Sequence, residues 1–438
     1  CKIMWAVVVT VVVAFVVAYV WGRSKRCKNT PPGSMGLPFV GETLEFLATD
    51  TSYNISPFIK KRMLRYGSLF KTHLLGRPTV VSADSDFNQF VFQQEDRLFE
   101  SWFPTSFRNA LGEQNISTLH GQMHKYLRRM ILSKFGFDNI KGTLLIQAED
   151  HIMSNISTWN GQVVNIRQEC GRILFEITAK ILVSYKPIKG SGCLRDNFSA
   201  FSDGLLSFPL NIPGTTYYKC LKGKFKALAT LDKMLRQRSE NPDTRNEDFL
   251  DLLVDELKME ETPVTRSIAL DLIFSLLFAG YETTTIACTA AIKFITEHPE
   301  ALQRLTEEHD AILGSRREKN SQITWKEYTS MEYTSKVIIE ALRLANIVAV
   351  IFRKTLKDVD FKGYNIPADW IVIVCPPALH LNPTIYSDPL SFNPDRWECR
   401  QFSSKNFIPF GGGMRLCPGM ELAKLELAMF LHCLVTNY

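Results

Sequence analysis

Apolar residues run almost unbroken from Ile3 to Gly22, as IMWAVVVTVVVAFVVAYVWG. About 20 such residues suffice to cross a bilayer as a helix. Trp5, Tyr19 and Trp21 stand near the ends of the run, where amphipathic rings prefer the membrane interface. The run is longer than the apolar region of a cleaved signal and lacks a clear small-residue site. Arg23, Lys25, Arg26 and Lys28 follow at once, against Lys2 alone on the other side. That asymmetry places the body of the protein in the cytoplasm. The pattern therefore predicts a single-pass transmembrane signal anchor over 1–22 and a basic, proline-rich linker over 23–36, stiffened by Pro31-Pro32-Gly33. The remainder, 37–438, is expected to form one domain.

Short apolar runs near the start of that domain predict strands at Leu69–Leu75 and around Thr79–Val81, extending toward Val91. Another is expected at Ile371–Val374, after turns at Gly363 and Pro367. Between about Thr118 and Leu344 the period is helical. The longest helix is expected from Thr265 to His298, about 50 Å at 1.5 Å per residue. Leu272 to Gly280 is apolar all round, as in a central buried helix. Tyr281-Glu282-Thr283-Thr284-Thr285 then interrupts the apolar run. Gly280 weakens a helix, and a threonine hydroxyl can divert a backbone carbonyl. Two readings stand: a core helix with back-bonded threonines, or a bulge that holds a hydroxyl and an acid at a reaction site. The fold class is mainly α with small β-sheets.

The 438 residues are 45% hydrophobic and 11% aromatic, enough to bury a large core. A net charge of +6 with 22% charged residues and no dense basic run gives nucleic-acid binding no support. Ten cysteines lie scattered without a C-x-x-C pair, which argues against a zinc framework or disulfide scaffold and for a reducing compartment. Four N-x-[ST] sequons occur, at Asn54, Asn115, Asn155 and Asn197.

The most informative cysteine is Cys417, within Phe410-Gly411-Gly412-Gly413-Met414-Arg415-Leu416-Cys417-Pro418-Gly419. Glycines let a backbone pass close to a flat ligand and aim N–H groups at sulfur. Arg415 adds positive charge that favours a thiolate and suits an anionic ligand group. A Gly-rich turn around a core cysteine is the plainer alternative. Phe410, Gly413, Arg415, Cys417 and Gly419 fill every place of the haem-binding loop of the cytochrome P-450 superfamily, which this loop resembles. The resemblance extends upstream over nearly the whole chain, and implies one catalytic domain over 37–438, truncated at its C-terminus.

That resemblance implies a helical prism with small sheets, and haem b (iron protoporphyrin IX) held by Cys417, with Arg415, Phe410, Gly411 and Gly419 about it. A thiolate below haem iron favours O–O cleavage. Ala279-Gly280-Tyr281-Glu282-Thr283-Thr284 is similar to the family's oxygen-activation motif, which makes Thr283 the hydroxyl at the oxygen site and Glu282 a proton relay. Glu340 and Arg343 are an i, i+3 pair of a kind usually exposed and weak. With Phe392-Asn393-Pro394-Asp395-Arg396-Trp397 downstream they resemble the family's buried Glu340–Arg343–Arg396 triad. His124-Lys125-Tyr126-Leu127-Arg128-Arg129 stands where the family often has Trp-x-x-x-Arg, so Arg128 is expected at a haem propionate, with His124 in the Trp place. Otherwise the run is the basic side of an amphipathic helix. Arg353 matches another propionate partner. Lys125, Arg129 and Lys424 suit an acidic electron-donor domain.

Pocket walls are expected from Trp102, Phe103, Phe107, Phe208, Phe278, Ala279, Val348 and Val350, each of which could equally be core. The segment Phe208 to Tyr217 resembles the plant sterol and triterpenoid branch, related to brassinosteroid oxidases. The whole implies a monooxygenase on the endoplasmic reticulum membrane that hydroxylates a lipophilic substrate with dioxygen and electrons from NADPH through a partner reductase. The alternatives are a haem-thiolate isomerase or dehydratase, or a membrane-tethered haem-binding protein without turnover.

Overall fold

Among the described residues, seven strands are β1 (Leu69–Leu74), β2 (Arg77–Ser82), β3 (Phe99–Ser101), β4 (Ile351–Thr355), β5 (Val359–Phe361), β6 (Tyr364–Ile366) and β7 (Ile371–Val374). This computed structural model describes Trp5 and residues 29–37, 39–48, 54–186, 194–241, 243, 245–316, 318, 321–398 and 405–438. Apart from Trp5, the expected anchor over 1–22 lies outside the described residues, as does the linker before Asn29. The chain forms two compact units. One comprises Cys1–Trp102, Val348–Leu390 and Phe402–Leu416 and holds every strand. The other comprises Phe103–Ile347, Ser391–Gln401 and Cys417–Tyr438.

In the sheet unit, five strands are ordered β1-β2-β7-β4-β3, with β5 and β6 as a separate hairpin. β1 turns into β2 through Leu75 and Gly76, both at positive φ, as a two-residue hairpin of right-handed twist requires. β2 pairs with β7 in parallel, Val80 opposite Val372, and all four residues of β7 are buried. Alternation then sorts the side chains onto two faces. Phe70, Val81, Ile371 and Ile373 pack with Phe58 on one, and Val80, Val372 and Val374 with Phe87, Val91 and Phe99 on the other. Val91 is thus a core residue, but of the helix Ser85–Gln93 rather than of a strand. Asp84 starts that helix by accepting from the Phe87 N–H at 2.9 Å, which sets Phe87 and Val91 four residues apart on one side.

In the helical unit, the central helix runs from Arg266 to Glu297. Thr265 caps it, its hydroxyl accepting from the Ile268 N–H. Its end is fixed by Pro299, which opens the next helix, Pro299–Gly314. No bulge forms at Tyr281–Thr285. Thr283, Thr284 and Thr285 donate to the carbonyls of Ala279, Gly280 and Tyr281 at 2.7, 2.8 and 2.6 Å, and the helix continues unbroken. Gly280 serves packing instead: a Cβ there would lie 2.8 Å from Thr178 Cγ2 on the adjoining helix Ile166–Val183. Among the described residues this is the one helix long and apolar enough to cross a membrane by length and composition. Its extensive burial marks it as a core helix.

Behind it, the helix Met420–Asn437 brings His432 to His309, Nδ1 to Nδ1 at 2.9 Å. His309 Nε2 meets Thr334 Oγ1 at 3.0 Å. One Nδ1 has to donate to the other, so at least the accepting ring is neutral. Burial pushes His309 down to about 4 and His432 down to about 3, the latter helped by His309 and Arg316 and opposed by Glu327. A histidine whose folded pKa is depressed stabilises the fold fully above its unfolded value, near 6.5, and loses that contribution as pH falls toward the folded value. Urea unfolding should therefore weaken between pH 7 and pH 5 by up to about 1.4 kcal/mol per pH unit for each histidine. A His309→Asn, His432→Asn protein should lose most of that slope in the same titration; an unchanged slope would clear the pair.

Candidate active site

The loop that carries Cys417 is tied down before it turns. In the sheet unit, the Ile408 N–H donates to buried His380 Nε2 at 3.0 Å. Gly411 and Gly413 follow at φ of 74° and 66°, a region costly for residues with a Cβ. Space excludes one as well: a Cβ on Gly412 would sit 2.7 Å from the Phe92 ring, and on Gly413 2.2 Å from the Phe92 carbonyl oxygen. The glycines expected to admit a ligand are thus first required by the helix Ser85–Gln93. Phe410 and Gly411 are half-buried there.

Arg415 donates from Nε to Glu95 Oε1 at 2.5 Å, and Arg353 from Nε to Glu95 Oε2 at 2.7 Å. The Ser101 N–H adds a third bond to that carboxylate at 3.2 Å. Two buried guanidinium groups share one carboxylate. Burial pushes Arg353 below the usual arginine range; Glu95 opposes this and Arg415 adds to it. Glu95 was not singled out from sequence, where it is one acid in Gln93-Gln94-Glu95-Asp96-Arg97. Its partners lie 258 and 320 positions away, beyond any local pattern.

In the helical unit, the half-buried Cys417 sulfur accepts from the Gly419 N–H. Burial pushes the thiol up; that N–H and the Arg128 guanidinium pull it down. Arg128 thus acts on this thiol, and Arg415 pairs with Glu95. Arg128 lies on the helix Gly121–Phe135 with His124, which is buried, and Lys125 and Arg129, which are exposed. Burial lowers Arg128 below its ordinary value, and Cys417 works against that. A partly accessible sulfur with an N–H and a cation aimed at it suits a metal-bound thiolate. The two guanidinium groups held at Glu95 suit an anionic ligand edge. These residues fit haem.

Ala279 and Thr283 are exposed along the otherwise buried central helix, with Glu282 half-buried beside them. Phe278 packs edge-on to Phe201, ring centroids 4.9 Å apart, and Phe103 stacks on Phe107 at 4.9 Å. In the sheet unit Trp102 packs edge-on to Phe352, with Val350 in the same cluster, while Val348 is exposed. Phe208 departs from the expected apolar wall. It is 78% exposed, because the chain there runs through a proline-punctuated turn rather than a packed element. That turn ends at Thr215, whose hydroxyl caps the helix Thr216–Glu240. Tyr217 then donates from its buried side to the Ser106 carbonyl at 3.0 Å.

Glu340, Arg343 and Arg396 come together. The Glu340 carboxylate accepts from Arg343 Nε and Nη2 at 2.9 and 2.7 Å and from Arg396 Nε at 2.8 Å. The Asn393 N–H and Trp397 Nε1 complete its shell at 3.0 and 2.9 Å. These two donors were missed although they stand beside Arg396 in the sequence, because a lone tryptophan reads as core.

The chain matches the cytochrome P-450 description over residues 31–438. The chain belongs to the cytochrome P-450 family. It is 48% identical to cytochrome P-450 87A3 of Oryza sativa subsp. japonica, over 96% of this chain and 83% of that one. It is 39% identical to a β-amyrin 16-α-hydroxylase of Maesa lanceolata, over 99% and 94% of the two chains. It is also 39% identical to a cholesterol 22-monohydroxylase of Paris polyphylla, over 95% and 89%. Among solved structures, retinoic acid bound cyanobacterial CYP120A1 matches with a TM-score of 0.82 and 28% identity, over 93% of this chain and 92% of that one. The protein thus has the mainly helical cytochrome P-450 fold with small sheets, and its activity class is monooxygenation, for which the family's cofactor is haem.

Removing one partner from the Glu340 cluster leaves a buried charge without compensation. Glu340→Ala should cost about 3–5 kcal/mol in urea unfolding, and Arg396→Ala should cost a comparable amount. A loss below about 1 kcal/mol for both would mean that water replaces the cluster, as it does for exposed pairs.

Proposed function

We propose that this chain hydroxylates a sterol- or triterpenoid-like substrate, using dioxygen and electrons that an NADPH-dependent reductase delivers. The observation that carries the reading is the setting of Cys417, half-buried, with the Gly419 N–H donating to its sulfur and the nearby Arg128 charge favouring the thiolate. The hydroxylases of sterols and triterpenoids among its relatives support the substrate class. Haem b, when bound, supplies the oxidant that inserts an oxygen atom into an unactivated C–H bond. Cys417 holds it through sulfur as the metal ligand, with Gly419 and the Phe410–Gly411 turn about that sulfur. Arg128, Arg353 and Arg415, with His124, hold its propionates.

Thr283 gives its only hydroxyl hydrogen to the Ala279 carbonyl, so its oxygen presents lone pairs alone. In that state Thr283 accepts from an O–H at the oxygen site and does not donate to it. Glu282, next in the chain, relays the proton. The exposed Lys125 and Arg129, with Lys424 held near Glu421 at 3.0 Å, form a basic face for an acidic donor protein. Phe103, Phe107, Phe278, Ala279, Trp102, Val348 and Val350 line the lipophilic substrate's site. The domain over 37–438 works on the cytoplasmic face of the endoplasmic reticulum, held by the anchor over 1–22.

The carbon-monoxide difference spectrum of the reduced protein should show a strongly red-shifted Soret band that Cys417→Ala abolishes. With reductase, sterol and triterpene alcohols should be hydroxylated only when NADPH and dioxygen are both present. Thr283→Ala should keep the band while product per NADPH falls. A band that survives Cys417→Ala would overturn the thiolate assignment, and product without dioxygen would overturn monooxygenation. Topology is read separately. Asn115 is buried and hydrogen-bonded, whereas Asn54 is exposed, so Asn54 is the reporting sequon. On expression in a eukaryotic cell it should stay unglycosylated, and a glycan on Asn54 would place the domain in the lumen.

A further inference from the structure

Asp271 on the central helix and Lys224 on the helix Thr216–Glu240 are both at least nine-tenths buried. Their charged atoms stand 4.0 Å apart, too far for a hydrogen bond. Neither side chain has a hydrogen-bond partner elsewhere among the described residues. The ammonium lies 6.0 Å from the Phe274 ring centroid, and Cys220 beside it is a neutral thiol, pushed up to about 11. Burial drives Asp271 up and Lys224 down, each toward its uncharged form, and each charge holds back the other's shift. A buried ion pair is ordinarily completed by hydrogen bonds on both partners. This one is not.

The gap is also closed on one side by backbone alone. Gly112 ends the helix Thr105–Leu111 at a φ of 110°, and a Cβ there would fall 2.5 Å from Asp271 Oδ2. One turn farther along the central helix, Ser275 donates to the Asp271 carbonyl at 2.6 Å and accepts from Asn115 Nδ2. Asp271, Ser275, Ala279 and Thr283 follow each other at i, i+4 spacing as one ridge of the helix. Ala279 and Thr283 are its exposed members.

We infer that Asp271 and Lys224 bind an alcohol group of the substrate and so set which end of it reaches Thr283. An alcohol hydroxyl can satisfy both: it donates to the carboxylate and accepts from the ammonium. An oxygen about 2.8 Å from each spans the gap. A carboxylate ligand would be repelled by Asp271 and an amine by Lys224, so the pair selects a neutral alcohol by rejecting both. Twelve residues separate Asp271 from Thr283, about 18 Å along the axis. That is the scale of a fused four-ring skeleton with its side chain. An alcohol held at Asp271 therefore leaves the far half of such a molecule at Thr283. The inference rests on the sterol and triterpenoid reading above and adds the group that is recognised.

The test is binding of a radiolabelled 3-hydroxy sterol, and of its 3-deoxy analogue, to the full-length holoprotein in nanodiscs by equilibrium dialysis. A 3-hydroxy triterpene is run beside them. The hydroxy sterol should bind at least roughly tenfold more tightly than the deoxy compound. In an Asp271→Asn, Lys224→Met protein the two should bind alike. Equal binding of the two to the unaltered protein would overturn this inference and leave the sterol reading standing, with no variant needed. Failure of every sterol and triterpene alcohol to bind would overturn both. A tenfold preference that the double variant retains would place the alcohol site elsewhere.

Discussion

A carboxylate with no water to solvate it has to be given donors by the protein, and Glu340 is fully excluded from solvent. Moving such an ion out of water costs several kcal/mol even after relaxation. Arg343, one helical turn away, supplies two donors. The rest come from Arg396, Asn393 and Trp397, which follow in one short stretch. That stretch has little regular structure of its own beyond one tight turn, Pro394–Trp397. It is held because the carboxylate would otherwise be stranded. Arg343 and Arg396 both return a bond to the Ser391 carbonyl, at 3.1 and 3.2 Å, so the start of the stretch is fixed by the same charges. The stretch 391–397 is thereby placed electrostatically rather than by apolar packing alone.

Glu95 solves the same problem in the sheet unit in the same way. Glu340 is shared by Arg343 and Arg396, and Glu95 by Arg353 and Arg415. In each case one buried carboxylate fixes the position of two guanidinium groups. Arg415 is thus held by Glu95, while Arg128 and the Gly419 N–H act on the thiol.

Much of this was legible in the sequence where the signal is local. The central helix was bounded almost to the residue because its cap, Thr265, and its terminator, Pro299, are adjacent in sequence to what they control. Strands at Leu69–Leu74 and Ile371–Val374 announced themselves by β-branched and apolar runs between turns. The cysteine loop could be read because ten consecutive residues carry it. What failed was what depends on distant partners. Val91 sits in an apolar run that suits a strand, and only the Asp84 cap decides for a helix. Gly280 reads as a helix breaker, yet it is dictated by Thr178 on another helix. Glu95, Asp271 and Lys224 are ordinary charged residues until folding places each beside its partner.

The continuity of the central helix has a consequence for how recognition and chemistry are coupled. Because the helix runs unbroken from Arg266 to Glu297, the ridge from Asp271 to Thr283 has no hinge in it. Distances along it are fixed by helix geometry, at 1.5 Å per residue. A flexible pocket wall could adjust to substrates of different length, but an unbroken helix behaves as a ruler. A group held near Asp271 then determines, through the rigid skeleton of the molecule that carries it, which carbon stands at Thr283. Selectivity for position would in that case reside less in the apolar side chains lining the pocket, which grip any hydrophobic shape, than in a single polar contact about three helical turns away.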